Sequence, residues 1–178
     1  MMRWIWIDRI LVLEKQHRCV AIKNISLAEE LLRDHLPATE CRPAIPVMPN
    51  TLVIEGMAQA AGILVGASNG FTEKVILAKI SKASFFEAAR PGFSLHFDAT
   101  IERLDRQGAS THGTVQLIDP ENGSRKPMAE IDLLFSHVDQ NMAGLEFPDR
   151  NFVFTGQFMD LLRQSGFGDL IPTDFVEE

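Results

Sequence analysis

The sequence is poor in cysteine and in positive charge, and each shortage excludes a class of protein. Its only cysteines, Cys19 and Cys41, lack the spacing of metal ligands, which predicts two unpaired thiols in a reducing compartment. Its 17 Lys and Arg residues stand against 24 Asp and Glu, for a net charge of −7. This balance argues against a general nucleic-acid-binding protein.

The N-terminal residues lack the features of a signal peptide. Arg3 precedes an apolar run, but Asp8 and Arg9 interrupt that run after four residues, which is too short for a secretory apolar core. We therefore expect a cytoplasmic protein.

The length and composition are those of an ordinary globular protein. With 178 residues, 46% of them hydrophobic and 23% charged, the chain is long enough for one domain with a substantial core. It contains no internal repeat and no low-complexity segment.

The longest uncharged stretch predicts a central helix from Leu52 to about Ala67. Glu55 is its one charged residue and Gln59 its one strong polar residue. A helix that is apolar all round must be buried, and this one is shorter than the roughly 20 residues that a bilayer requires. Its glycines and alanines make it slender, which suits close approach by a surrounding backbone. Glu55 and Gln59 lie one turn apart on one side, and a buried carboxylate requires a partner.

The remainder of the chain alternates in a way that predicts strands. The predicted strands are Cys19 to Ile25 (with Lys23 exposed), Lys74 to Phe86, Ser94 to Leu104, Ser110 to Ile118 and Met128 to Val138. Ser26 and Glu29 form a capping-box pattern before a short helix that leads to His35. A sheet around one buried helix is an α+β fold.

Two segments flank these elements. Prolines at 37, 43, 46 and 49 predict an extended passage, after which Asn50 or Thr51 can cap the central helix. Residues 140–178 are predicted to form a C-terminal extension to a domain of residues 1–139. In it, Gln157 to Gln164 predict an amphipathic helix closed by Gly166. The phenylalanines available to pack on the body are Phe147, Phe152, Phe154, Phe158 and Phe167.

Three stretches together resemble one known family. They are HLP at 35–37, PVMPNTLVIEGMAQAAGILVG at 46–66 and AKISKASFFEAARPGFSLHFDATIERL at 78–104, supported by the opening WIWIDRILVLEKQHRCVAIKNIS. The sequence is similar to the 3-hydroxyacyl-[acyl-carrier-protein] dehydratases of the FabZ type, over roughly residues 3 to 138. The resemblance implies a hotdog fold, an acyl-carrier-protein partner, no cofactor or metal, no membrane, and a homodimer or trimer of dimers.

The resemblance also implies the site residues. His35 would be the base and Glu55 the acid, with His35 of one chain meeting Glu55 of the other. The backbone N–H groups at Asn50 and Thr51 would hold the thioester carbonyl, and Gln59 would support the site. Pro49, Leu52 and Met57 would line the substrate tunnel.

The dehydration reaction itself requires such groups, independently of the resemblance. Dehydration of a 3-hydroxyacyl thioester removes a proton from C2 and protonates the hydroxyl at C3. A histidine has a reference pKa near 6.5 and takes the first proton near neutral pH, while a buried Glu can remain a proton donor. Free N–H groups at a helix N-terminus stabilise the enolate oxygen without a charged side chain.

The chain departs from the family pattern in two places. About six extra residues, within Ala38 to Pro43, separate His35 from the proline-rich segment, and they can be looped out. Asn50 stands where the family has glycine. Two alternatives therefore remain open: a hotdog acyl thioesterase that uses Glu55 without His35, and a non-catalytic subunit that binds an acyl group or its carrier protein.

Several polar residues outside the motif are predicted to have structural roles. His96 and His112 are expected on the surface, and His137 is expected to be a hydrogen-bonded histidine at a strand end. A set of basic residues is expected on a solvated face, with carrier-protein docking as the alternative; it consists of Lys74, Lys79, Lys82 and Arg90.

Overall fold

The structure is a computed structural model that describes residues 4–138, 151 and 153–173. Within these residues one antiparallel sheet has the strand order β1-β2-β4-β5-β6-β3. The strands are β1 (Arg9–Glu14), β2 (Arg18–Asn24), β3 (Val75–Phe85), β4 (Ser94–Leu104), β5 (Gly108–Ile118) and β6 (Arg125–His137). The α-helices are α1 (Glu30–His35), α2 (Asn50–Ser68) and α3 (Gly156–Gln164), followed by a 3-10 helix at Gly168–Leu170.

The long helix α2 is the centre of the molecule. It contacts every one of the six strands, and its residues from Gly56 to Ala67 are buried. The alternation along β5 explains why the sheet covers it, because Ala109, Val115 and Leu117 point inward while their neighbours are half exposed. The predicted α+β fold around one buried helix is confirmed.

The glycines of α2 accommodate aromatic rings. The sequence-based prediction that they allow close approach of a surrounding backbone is therefore wrong. A Cβ at Gly56 would overlap the ring of Phe97 from β4. A Cβ at Gly66 would overlap Phe154 from the C-terminal segment and approach Phe71 at 2.9 Å. The reason is size: a phenylalanine ring fills the notch that a missing side chain leaves in a close-packed core.

The predicted capping box at the start of α1 is wrong. Ser26 and Glu29 form a turn with Glu29 N to Ser26 O at 3.2 Å, and the helix begins only at Glu30. The Glu29 side chain is used elsewhere, since its Oε1 lies 2.8 Å from Nζ of Lys23. Lys23 is buried and not exposed as predicted, and it also contacts Asp8 at 3.2 Å. A buried ammonium group requires carboxylate partners. The pairing of Glu29 with Lys23 therefore takes the place of a hydrogen bond from Glu29 at the start of the helix.

The C-terminal segment packs into the same hydrophobic core as the sheet. α3 begins one residue before the predicted helix, and its Met159 and Leu162 are fully buried. Gly166 follows it with a positive φ of 89°. The division into residues 1–139 and 140–178 stays a prediction, and Phe147 and Phe152 lie outside the described residues.

Among the described residues, α2 is the one helix that is long and apolar enough to cross a membrane. However, 67% of its apolar window is buried inside the protein. The helix is therefore the core helix of this fold.

Candidate active site

The N-terminus of α2 is formed by the end of the proline-rich passage. Pro49 is the N-cap, with φ −55° and ψ 135°, and no side chain caps the helix. The prediction that Asn50 or Thr51 is the cap is therefore wrong, because the helix already begins at Asn50. Pro49 O accepts from Leu52 N at 2.9 Å. The N–H groups of Asn50 and Thr51 occupy the first two helical positions, which have no intrahelical acceptor.

The extra residues between His35 and the helix form a closed loop. Ile45 N donates to Leu36 O at 3.0 Å, which brings the two ends of the insertion together. Between them, Thr39 N donates to Arg42 O at 2.8 Å and Arg42 N donates back at 3.3 Å. The insertion is looped out as the sequence analysis allowed, and the flanking chain continues to α2.

His35 is the last residue of α1, and its ring is oriented by the passage that leads to α2. Its Nδ1 lies 2.9 Å from the carbonyl oxygen of Val47. A carbonyl only accepts, so Nδ1 is the donor of this hydrogen bond. The residue is exposed in the single chain. The structure therefore leaves Nε2 as the ring nitrogen that this hydrogen bond does not use.

Glu55 is held by Gln59 from the next turn of α2. Gln59 Nε2 donates to Glu55 Oε1 at 2.7 Å and contacts Trp4 O at 3.2 Å. Gln59 Oε1 accepts from Trp6 N at 2.8 Å. The amide of Gln59 thus connects the half-buried carboxylate to the N-terminal segment.

Within one chain, His35 and Glu55 have different hydrogen-bond partners. The partner of His35 is Val47, on the passage before α2, and that of Glu55 is Gln59, on α2 itself. The pairing of His35 in one protomer with Glu55 in another stays a prediction.

A pocket of about 180 Å³ runs along α2 beside Glu55. Its lining consists of Glu55, Ala58, Gln59, Gly62, Ile63, Val75, Leu77, Phe135, Val153, Phe154 and Phe158. The predicted tunnel residues Pro49, Leu52 and Met57 do not line it. Leu52 and Met57 are buried in the core, and the side chain of Met57 fills the space beside Gly113. Their assignment to a tunnel stays a prediction.

The apolar residues of this pocket were not predicted from the sequence. They come from α2, β3, β6 and the C-terminal segment, so no local pattern connects them. The phenylalanine-rich C-terminal sequence was the one signal that pointed to part of this wall.

His96, His112 and His137 have different environments. His96 is buried and not on the surface as predicted, because Ile22 and Gln116 flank it on neighbouring strands. Burial is the main cause that lowers the pKa of His96, and the positive charge of Arg125 adds to it. His112 is partly exposed.

Both other histidines contact carboxylates. His112 Nδ1 lies 2.6 Å from Asp132 Oδ1. His137 is buried, and its Nδ1 lies 2.6 Å from Glu73 Oε2. The prediction of a hydrogen-bonded histidine at the strand end is confirmed for His137.

The predicted basic face is only partly present. Lys74 is buried, at 5% exposure, so its place on a solvated face is wrong. It precedes β3, whose first residue, Val75, is itself buried. Lys79, Lys82 and Arg90 are exposed, and Lys82 Nζ contacts Glu130 at 2.7 Å.

The two cysteines are free, and only one is accessible. Cys19 is fully buried in β2, and burial raises the pKa of its thiol to about 12. Cys41 lies exposed in the looped-out insertion. Among residues 4–138, 151 and 153–173, no three His, Cys, Asp or Glu side chains form a group that could hold a metal ion.

Solved structures share this architecture, and together with it they define a hotdog-fold protein. A thioesterase family protein from Silicibacter pomeroyi aligns with a TM-score of 0.57 and 16% identity, covering 72% of this chain and 82% of that one. An acyl-CoA hydrolase from Staphylococcus aureus aligns with a TM-score of 0.54 and 14% identity, covering 69% and 66%. At this identity the likeness concerns the fold alone, and it confirms the predicted fold.

Residues 2–118 match the FabA-like domain family, and the chain belongs to that family. It is 36% identical over 104 residues to a 3-hydroxyacyl-[acyl-carrier-protein] dehydratase FabZ from Alkalilimnicola ehrlichii, covering 56% of this chain and 63% of that protein. A FabZ from Rickettsia rickettsii is 36% identical over 99 residues, covering 54% and 64%. The chain thus spans less than two thirds of the length of these relatives. The resemblance to FabZ-type dehydratases is confirmed.

Proposed function

We propose that the protein dehydrates 3-hydroxyacyl thioesters carried on acyl-carrier protein to trans-2-enoyl thioesters, as part of fatty-acid biosynthesis or a related acyl pathway. The observation that carries the proposal is the hydrogen bond from His35 Nδ1 to Val47 O, which leaves Nε2 as a base. The names of the relatives and the FabA-like family support the same reaction.

The reaction assigns a role to each group of the site. His35 Nε2 takes a proton from C2, and the electron pair moves toward the thioester oxygen. The N–H groups of Asn50 and Thr51 stabilise that oxygen. Glu55 protonates the C3 hydroxyl, the C3–O bond breaks, and water leaves as the C2–C3 double bond forms. The proton on Glu55 is restored from His35 through solvent.

The proposed active unit is a dimer, either alone or within a trimer of dimers, in the cytoplasm. Two features of the single chain support it. His35 is exposed. Among the described residues, β3 pairs only with β6 and leaves its other edge open, with Leu77 and Ile80 39% and 45% exposed. An open apolar strand edge favours pairing with a second chain.

The test follows hydration of an enoyl thioester by its loss of conjugated absorbance, together with the reverse reaction. We expect His35→Ala and Glu55→Gln each to lower turnover by about 10²–10⁴-fold, because each removes a general acid or base. His17→Ala and Glu121→Gln change exposed residues of the same types and serve as controls with turnover near that of the unchanged protein.

Other outcomes would favour the alternatives. Release of free thiol without change at C2–C3, insensitive to His35→Ala, would indicate a thioesterase that uses Glu55. Binding of acyl-carrier protein without either product would indicate a non-catalytic subunit.

A further inference from the structure

The pocket beside Glu55 is lined on one side by the C-terminal segment, here called the C-terminal cap (residues 151 and 153–173). We infer that this cap is the end wall of the acyl pocket and sets the length of the acyl chain that the protein accepts. The inference rests on the proposed function for the identity of the ligand.

The order of residues along α2 places the cap at the far end of the pocket from Glu55. The lining residues Glu55, Ala58 and Gly62 follow one face of the helix. Phe154 packs over Gly66, which is eleven residues or about 16 Å along the helix from Glu55. A chain that extends from the reacting carbons along α2 therefore meets the ring of Phe154.

The other walls of the pocket suit an alkyl chain. Apart from Glu55 and Gln59, all of its lining side chains are apolar or glycine. A cavity of about 150 Å³ holds a benzene molecule, so a pocket of 180 Å³ takes about six carbon atoms beyond the reacting ones. The polar end and the apolar body match the two parts of an acyl thioester.

The cap is held firmly enough to act as a wall. Asn151 Nδ2 donates to Phe71 O and Glu73 O, both at 2.9 Å, and its Oδ1 accepts from Val153 N at 3.0 Å. Ser165 Oγ accepts from Ile10 N of β1 at 3.0 Å.

Aromatic contacts within the core extend this anchoring. The rings of Phe71 and Phe154 meet edge to face with centroids 5.0 Å apart. Phe158 meets Phe154 at 6.1 Å. The two phenylalanines of the cap that line the pocket, Phe154 and Phe158, therefore support each other, and Phe154 rests on the end of α2 at Gly66.

Two substitutions change the pocket in opposite directions. Phe158 lines it beside Phe154 and is only half buried, so Phe158→Ala opens space at the cap end of the pocket. Gly62 lines the helical wall, and a Cβ there meets Phe135 Cε1 at an ordinary 3.6 Å. Gly62→Ala therefore narrows the pocket without a clash. Phe167→Ala is the matched control, since Phe167 packs on the core but does not line the pocket.

The experiment measures binding of S-alkyl pantetheine thioethers, which undergo neither dehydration nor hydrolysis, by calorimetry with butyl, octyl and dodecyl chains. Each methylene that enters the pocket tightens binding about fourfold. In the unchanged protein and in Phe167→Ala we expect octyl to bind far more tightly than butyl, and dodecyl no more tightly than octyl. We expect Phe158→Ala to bind dodecyl at least about tenfold more tightly, and Gly62→Ala to bind octyl several-fold more weakly.

The inference is overturned if no thioether binds, if the unchanged protein prefers dodecyl to octyl, or if Phe158→Ala and Gly62→Ala both keep the original preference. The enoyl hydration assay separates this failure from that of the proposed function. If the protein hydrates the enoyl thioester but both variants keep the original chain-length preference, the proposed function stands and the inference is wrong. If the chain-length dependence of thioether binding changes as expected in the variants but no enoyl thioester is hydrated, the proposed function is wrong and the inference stands.

Discussion

Gln59 donates to Glu55 through Nε2 at 2.7 Å and accepts the backbone N–H of Trp6 through Oε1 at 2.8 Å. One buried amide therefore orients the proposed catalytic carboxylate and satisfies a buried donor of the N-terminal segment. The position of Glu55 and the attachment of that segment depend on the same side chain.

The first prediction concerns this amide. Gln59→Leu keeps the size of the side chain but leaves the N–H of Trp6 without its acceptor, which costs about 1–3 kcal/mol of unfolding free energy. It also frees Glu55 to rotate, so turnover should fall. Urea denaturation and the hydration assay measure the two effects. Gln157→Leu, on an exposed helix position, is the control. Equal stability of the two variants would contradict the role of Gln59.

The second prediction compares two glycines of α2. Gly56→Ala forces a methyl group into the buried ring of Phe97, and overpacking of this kind lowers stability by about 1–3 kcal/mol. Gly62→Ala meets only an ordinary contact, and the gain in helix propensity raises stability by about 0.5–1 kcal/mol. Thermal and urea unfolding of both variants measure the difference. Destabilisation by both to the same degree would contradict the packing described around Gly62.

The third prediction concerns thiol reactivity. Burial raises the pKa of Cys19 to about 12, so its reactive thiolate form is almost absent at neutral pH. Cys41 is exposed. A thiol reagent should therefore modify one cysteine per native chain quickly and the second only after unfolding, as read by mass spectrometry. Cys41→Ser should abolish the fast reaction. Rapid labelling of Cys19 in the folded protein would contradict its burial.

The fourth prediction concerns pH. The pKa of His96 is lowered by burial first and by Arg125 next, with Asp98 opposing. The folded state therefore favours the neutral ring. Its contribution to stability is present above the unfolded-state pKa near 6.5 and is lost as the pH falls through the lowered folded-state pKa.

His96→Gln should consequently weaken the loss of unfolding free energy between pH ~8 and pH ~5, whatever it does to stability at neutral pH. Urea denaturation across that range measures the slope. His17→Gln, which removes a largely exposed histidine, is the matched control. An unchanged slope in His96→Gln would show that His96 does not titrate differently in the two states.

Local patterns were sufficient for α2 and for strands β2 to β6 of this fold. The apolar stretch after Pro49 predicted α2, and strict alternation predicted β4 at its observed bounds. These predictions succeed because hydrophobic periodicity records which face of an element is buried. The stretches that resemble the FabZ-type dehydratases indicated His35 and Glu55 as candidate site residues. Their positions in the sequence place them on α1 and α2.

Contacts between distant residues were decided only by the tertiary structure. Glu29 left its predicted cap because Lys23 is buried beside it, and His96 is covered by two neighbouring strands. The pocket beside Glu55 is lined in part by Phe154, about a hundred residues later in the sequence. Periodicity along one segment does not report what packs against it, because burial energy depends on surfaces that meet only when the chain folds.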